Sequence, residues 1–271
     1  MYVIFDIGGT KTRIGVSRDK KTFQSVILPT NLSFVRALGE MKGAVQKLSR
    51  GSKIDAVIGG VRALDKERGV LRAQPHYPLW AGKPLRRELE RMFSAPVFLE
   101  NDAALAALGE ATVGAGRGSA IVAYLTVSTG VGGAVVTDGR ISKNARGFEP
   151  GSQIITHVGK KPIRLEELIS GFTIEKRFGK PAAALKNKRA WQEAAYYLAV
   201  GINNMIVHWS PGVVVLGGGL FSTGGISIPA VRKYLKELFK AYSEIPPISR
   251  AALGDSSALF GALAFAKQVL H

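Results

Sequence analysis

The sequence predicts an α/β protein of two related lobes, and three observations carry that prediction. Short apolar strands alternate with amphipathic helices along nearly the whole chain. A strand, a glycine turn and a second strand open the chain at 2–16, and the same order returns at 120–137. No long linker or low-complexity stretch interrupts either half. The expected division is a lobe at 1–103, completed by a C-terminal helix at 256–271, and a second lobe at 104–255.

Residues 2–7 and 12–17 read as strands around a Gly8-Gly9-Thr10-Lys11 turn, with a third strand at 23–28. Asn31 or Ser33 can cap a helix running to Arg50, with Phe34, Leu38, Met41 and Val45 on one face. A buried strand at 54–61 ends in Gly59-Gly60. A helix at 85–93 and a strand at 96–99 lead to Glu100-Asn101-Asp102. The Ala-rich 103–113 is a helix closed by Gly114. The pattern then restarts with a strand at 120–127, a glycine turn at 128–133 and a returning strand at 134–137. A helix at 190–209, a strand at 213–216, a helix at 229–242, a strand at 249–253 and a helix at 256–270 complete the chain.

The 271 residues suffice for two cores, and 46% hydrophobic with 21% charged residues is ordinary for a globular enzyme. No apolar run reaches the roughly 18 residues of a membrane span. The first residues enter a strand without a basic segment or cleavage site, so no leader is expected. Zero cysteines exclude disulfides and thiolate metal sites, and fit a cytoplasmic protein. The net charge of +17 is unusual, but its Lys and Arg are scattered and no aromatic platform accompanies them. A solvated basic surface is therefore preferred to a nucleic-acid partner.

Three glycine clusters carry the chemistry. Asp6 ends a buried strand, and Gly8 and Gly9 let the main chain approach a phosphate, with Thr10 adding a hydroxyl and Lys11 a charge. Asp6 is placed to hold Mg²⁺ through water. Thr129, Gly130 and Gly132 repeat this context, and Gly217, Gly218 and Gly219 follow an apolar strand where a nucleoside can lie. Each cluster alone also reads as an ordinary turn, and none has the spacing of a Walker A loop or a Rossmann fingerprint. Asp102, just past a strand end, suits a general base. Asn101-Asp102 before an Ala-rich run equally suits a helix cap, and the two readings can coexist.

In their order along the chain, Asp6-Ile7-Gly8-Gly9-Thr10-Lys11, Glu100-Asn101-Asp102, Ser128-Thr129-Gly130-Val131-Gly132-Gly133, Leu216-Gly217-Gly218-Gly219 and the 253–261 segment resemble the blocks of the ROK family (repressors, open reading frames and kinases). The resemblance implies a two-lobed actin-like ATPase (ribonuclease H-like) fold with duplicated βββαβαβα lobes. It implies an ATP- and Mg²⁺-dependent kinase acting on a primary hydroxyl, the 6-hydroxyl of a hexose or N-acetylhexosamine. Asp102 matches the family's catalytic aspartate and Asn101 its sugar-binding neighbour. Glu149-Pro150-Gly151-Ser152 and the 165–171 segment with Glu166 resemble the segments whose glutamates contact the sugar. Gly60 and His76 are further sugar-side candidates, and the family implies a homodimer, although no exposed seam is readable.

The chain departs from the family's pattern in three places. Ser152 stands where a His is usual, and 153–164 lacks the three cysteines that bind zinc in many members, so no zinc site is expected. His157 is then a surface or packed histidine. Val61-Arg62-Ala63 lacks the usual Pro-Gly, and His76 stands where Asn is common. No helix-turn-helix precedes the first strand, which sets the repressor branch aside. The alternatives are a sugar-responsive regulator without turnover, a non-sugar ATPase of the same fold, and a glycosidase using Glu149 and Glu166; the last leaves the glycine clusters unexplained.

Overall fold

A computed structural model describes residues 1–74, 77–222 and 225–270, which fold as two compact units: 1–109 with 256–271, and 110–255. The chain passes from one to the other between Gly109 and Glu110 and returns between Asp255 and Ser256.

The first unit contains β1 (Tyr2–Ile7), β2 (Lys11–Ser17), β3 (Gln24–Pro29), α1 (Phe34–Ser49), β4 (Ala56–Val61), the short strands β5 (Leu64–Asp65) and β6 (Val70–Leu71), α2 (Leu85–Phe93), β7 (Val97–Glu100) and the start of α3 (Asp102–Val113). Its five-stranded sheet has the order β3-β2-β1-β4-β7. The β1–β2 and β2–β3 pairs are antiparallel; β1–β4 and β4–β7 are parallel. β4 is buried along its whole length, the property of a central parallel strand covered on both faces. Ser33 caps α1 by accepting the Arg36 N–H, and Phe34, Leu38, Met41 and Val45 are buried as their spacing predicts. Each such side chain contributes about 1.5–3 kcal/mol when fully buried. Trp80 is core, 1% exposed, with its indole N–H donating to Leu32 O at 3.1 Å.

The last helix, α9 (Ser257–Val269), packs on β1 and β4. It also meets α3 backbone to backbone: a Cβ at Gly261 would lie 1.7 Å from Leu105 O, so only glycine allows the approach.

The second unit contains β8 (Ile121–Val127), β9 (Val131–Thr137), β10 (Arg140–Ile141), the ribbon β11 (Ile154–Val158) and β12 (Lys161–Arg164), α4 (Leu165–Ile169), α5 (Gly171–Phe178), α6 (Lys188–Trp209), β13 (Val213–Gly217), α7 (Gly219–Ser222), α8 (Ile228–Leu238) and β14 (Ile248–Arg250). Its sheet order, β10-β9-β8-β13-β14, repeats that of the first unit, with an antiparallel hairpin beside two parallel strands. α6 and α8 bury Leu198, Ile202, Val231 and Leu235 in one core with Leu125, Val214 and Leu216.

Several boundaries differ from the sequence reading for local reasons. α3 starts at Asp102, one residue early, because the Asn101 side chain caps it by accepting the Ala104 N–H at 3.1 Å. β14 stops at Arg250 rather than running to 253. The Ala252 and Leu253 amides turn instead to the fully buried Glu110 carboxylate, at 3.0 and 2.9 Å. α8 ends at Leu238, four residues short, where Phe239 leaves the helix in extended conformation. The 153–164 stretch, to which the sequence reading assigns no element, forms the β11–β12 ribbon, on which His157 is exposed.

Candidate active site

The carboxyl ends of β1, β4 and β7 gather the candidate residues of the first unit. In-register pairing puts Arg13, Asp6, Gly60 and Glu100 in one row, so the side chains of Arg13, Asp6 and Glu100 emerge on one sheet face. Asp6 is buried, and Arg13 Nη1 donates to its Oδ2 at 3.0 Å. The following turn closes when the Gly8 N–H donates to Lys11 O at 3.0 Å. Thr30 props it from the edge strand's end: its hydroxyl donates to Gly8 O at 2.8 Å, and its N–H donates to Thr10 O at 3.0 Å. Gly9 is partly exposed, and Thr10 and Lys11 stand exposed at the tip.

Asp102 opens α3 directly against β4. A Cβ at Gly60 would lie 3.0 Å from Asp102 Cα, so this glycine sets how closely the strand and helix approach. Desolvation raises the Asp102 carboxyl above the ordinary carboxylate range; the Ala103 N–H, the Arg62 guanidinium and its own N–H oppose that rise. Asn101 caps the helix with its side-chain oxygen, and its N–H donates to Glu100 Oε1 at 2.7 Å. His76 lies outside the described residues.

In the second unit, Gly217, Thr126 and Gly132 pair in register across β13, β8 and β9, which sets two glycine clusters side by side. Gly218 takes φ 101°, and a Cβ there would lie 2.2 Å from Val127 O. Gly219 begins α7. The 128–131 turn closes when the Ser128 N–H donates to Gly130 O at 2.9 Å, and the Phe172 N–H donates to Thr129 O at 3.1 Å. Glu166 joins this cluster, accepting the Val131 N–H on Oε2 at 2.8 Å. Glu149 is exposed and lines a pocket of about 450 Å³ with Asn204, His208 and Trp209.

The sequence profile of the ROK family matches residues 2–269. The chain belongs to the ROK family. A ROK hexokinase structure from Thermus thermophilus is 34% identical over 97% of both chains, with a TM-score of 0.77. A bifunctional enzyme NanE/NanK of Brucella melitensis is 31% identical over 95% of this chain, which spans about half (52%) of that enzyme. A ROK glucokinase from Streptomyces griseus, solved with glucose and AMPPNP, shares the fold at a TM-score of 0.81 and 22% identity. The two-lobed actin-like ATPase fold implied by the glycine blocks is thus the fold of this ROK chain.

The departures from the ROK pattern have local consequences. Ala63, in the loop lacking Pro-Gly, still adopts φ 58°, a left-handed conformation that glycine takes more freely. Among the described residues, no three His, Asp or Glu side chains gather as a metal cluster. Sequence reasoning missed Arg13 as the partner of Asp6; the alternation of β2 and the hairpin register were the signal that could have found it. It also missed Arg62 and Tyr77 near Asp102. Tyr77 is 1% exposed; burial first, then the Asp102 charge, pushes its hydroxyl far above the usual phenol range. No sequence signal marked this residue.

Proposed function

We propose that this ATP-dependent sugar kinase transfers the γ-phosphate of ATP to a primary hydroxyl, the 6-hydroxyl of a hexose or N-acetylhexosamine, with Asp102 as general base. One observation carries the reading: a desolvated carboxyl of raised proton affinity starts a helix on the sheet edge that also bears Asp6 and the first glycine turn. The name of the Thermus hexokinase supports a sugar as acceptor. It does not select the sugar for this chain.

In the proposed step Asp102 takes the proton of the sugar hydroxyl as its oxygen bonds to the γ-phosphorus and the bond to ADP breaks. Asn101, Gly60, Glu149 and Glu166 orient sugar hydroxyls, and His76 is kept as a further sugar-side candidate. Gly8, Gly9, Thr10, Lys11, Thr129, Gly130 and Gly132 bind the phosphates; Gly217, Gly218 and Gly219 bind the nucleoside side. The hard oxygen of Asp6, already partnered by Arg13, suits Mg²⁺ held mostly by phosphate and water. When bound, that ion neutralises phosphate charge. A homodimer, as the ROK resemblance implies, is part of the same proposal.

Replacing Asp102 by Asn tests the base. Turnover should fall at least about 100-fold while the sugar and ATP still bind, read by steady-state kinetics and calorimetry. The ionised base is the active form, so wild-type turnover should decline on the acid side, as pH falls through the raised carboxyl value. Near-normal turnover in the Asn variant contradicts the assignment.

A further inference from the structure

Glu166 resembles a sugar-contacting glutamate, yet its geometry ties it to the phosphate turn. Its Oε2 accepts the N–H of Val131, the residue that leaves the turn and starts β9, at 2.8 Å. The residues that follow it hold the same turn. Gly171 N–H donates to Ser128 O at 2.7 Å and Phe172 N–H to Thr129 O at 3.1 Å. A Cβ at Gly171 would lie 2.9 Å from Ser128 O, so the helix start is pressed against the turn. The α4–α5 junction is itself fixed, because Ser170 N–H and the Thr173 hydroxyl both donate to Glu166 O, at 3.2 and 3.1 Å. Three hydrogen bonds from 166–172 thus fall on three of the four residues 128–131, and the one with a charged acceptor is the strongest kind.

We propose that Glu166 is a positioning residue for the second phosphate-binding turn, so that one carboxylate links sugar binding to the shape of the phosphate site. A sugar hydroxyl donating to this carboxylate shares it with the Val131 N–H, and sugar occupancy is thereby felt at 128–131. The inference rests on reading 128–133 as a phosphate site, as argued above. It separates Glu166 from Asn101 and Asp102, whose side chains act on the first unit's sheet edge. It also gives a physical reason for ATP to be handled differently with and without sugar.

The test is equilibrium binding of AMPPNP with Mg²⁺, without any sugar, to the wild type, Glu166→Gln and Glu166→Leu. Gln keeps an acceptor for Val131, while Leu is of similar size and keeps none. Leu should weaken the nucleotide at least about tenfold, and Gln should stay within about threefold of wild type. Leu binding the analogue as tightly as wild type, with only sugar affinity reduced, overturns the proposal. Failure of the wild type itself to bind the analogue instead overturns the phosphate reading of the turn, a separate result. Should Leu not fold, amide hydrogen exchange across 128–131 in Glu166→Ala, which also keeps no acceptor for Val131, decides. Faster exchange than in wild type supports the brace, and unchanged exchange refutes it.

Discussion

The two glycine turns occupy matching places in matching sheets, but they are held by different means. Each closes with a backbone bond of its own, but the first, at 8–11, is propped by Thr30 from the end of β3, a neighbour in the same sheet. The second, at 128–131, is gripped from outside its sheet by Glu166, Gly171 and Phe172. The adjoining strand ends differ as well: β4 brings Gly60 against Asp102, while β13 ends at Gly217 and the next residue, Gly218, meets Val127 at the end of β8. Duplicated architecture therefore does not mean duplicated support. The first turn has the fixed setting of a sheet edge; the second depends on a segment outside its sheet that carries the Glu166 carboxylate.

Two substitutions break the comparison at its extremes, and the Glu166 pair falls between them. Gly218→Ala should act most strongly, because its φ of 101° and the 2.2 Å approach to Val127 O leave no place for a methyl group. We expect a loss of at least about 2 kcal/mol, seen as a fall of several degrees in Tm by calorimetry. Thr30→Val should act least. It removes the bond to Gly8 O and the 2.9 Å contact with the Thr12 hydroxyl, for about 1 kcal/mol in a denaturant titration. Because the Thr30 N–H still donates to Thr10 O in this variant, AMPPNP affinity should stay within about twofold of wild type. A large drop in affinity for Thr30→Val, equal to that of Glu166→Leu, removes the distinction between the two turns.

The fold was legible where periodicity and glycine placement agree. Val3 to Ile7, the α1 face and the restart at β8 all fell where the pattern put them, since apolar spacing reports burial directly. It was not legible where a buried polar group redirects the backbone. Glu110 takes the amides that would have lengthened β14, and nothing in its Ala-rich surroundings announces a carboxylate with three backbone donors. The glycine clusters and Asn101-Asp102 were readable as a set because three turns and a strand-end acid recur in one order. The cap reading of Asn101 and the base reading of Asp102 turned out to concern different atoms of neighbouring residues, so the first is met without touching the second. Arg13, Arg62 and Tyr77 come near the acids only through sheet register and loop course, which no local motif encodes.

Sugar-dependent ADP release is the most direct test of the central claim. A coupled assay across glucose, mannose, fructose, N-acetylglucosamine, N-acetylmannosamine and allose should find at least one that raises release well above the sugar-free rate, with one sugar phosphate formed per ADP. ADP release that no sugar stimulates contradicts the account and leaves a sugar-responsive regulator or a non-sugar ATPase on the same fold.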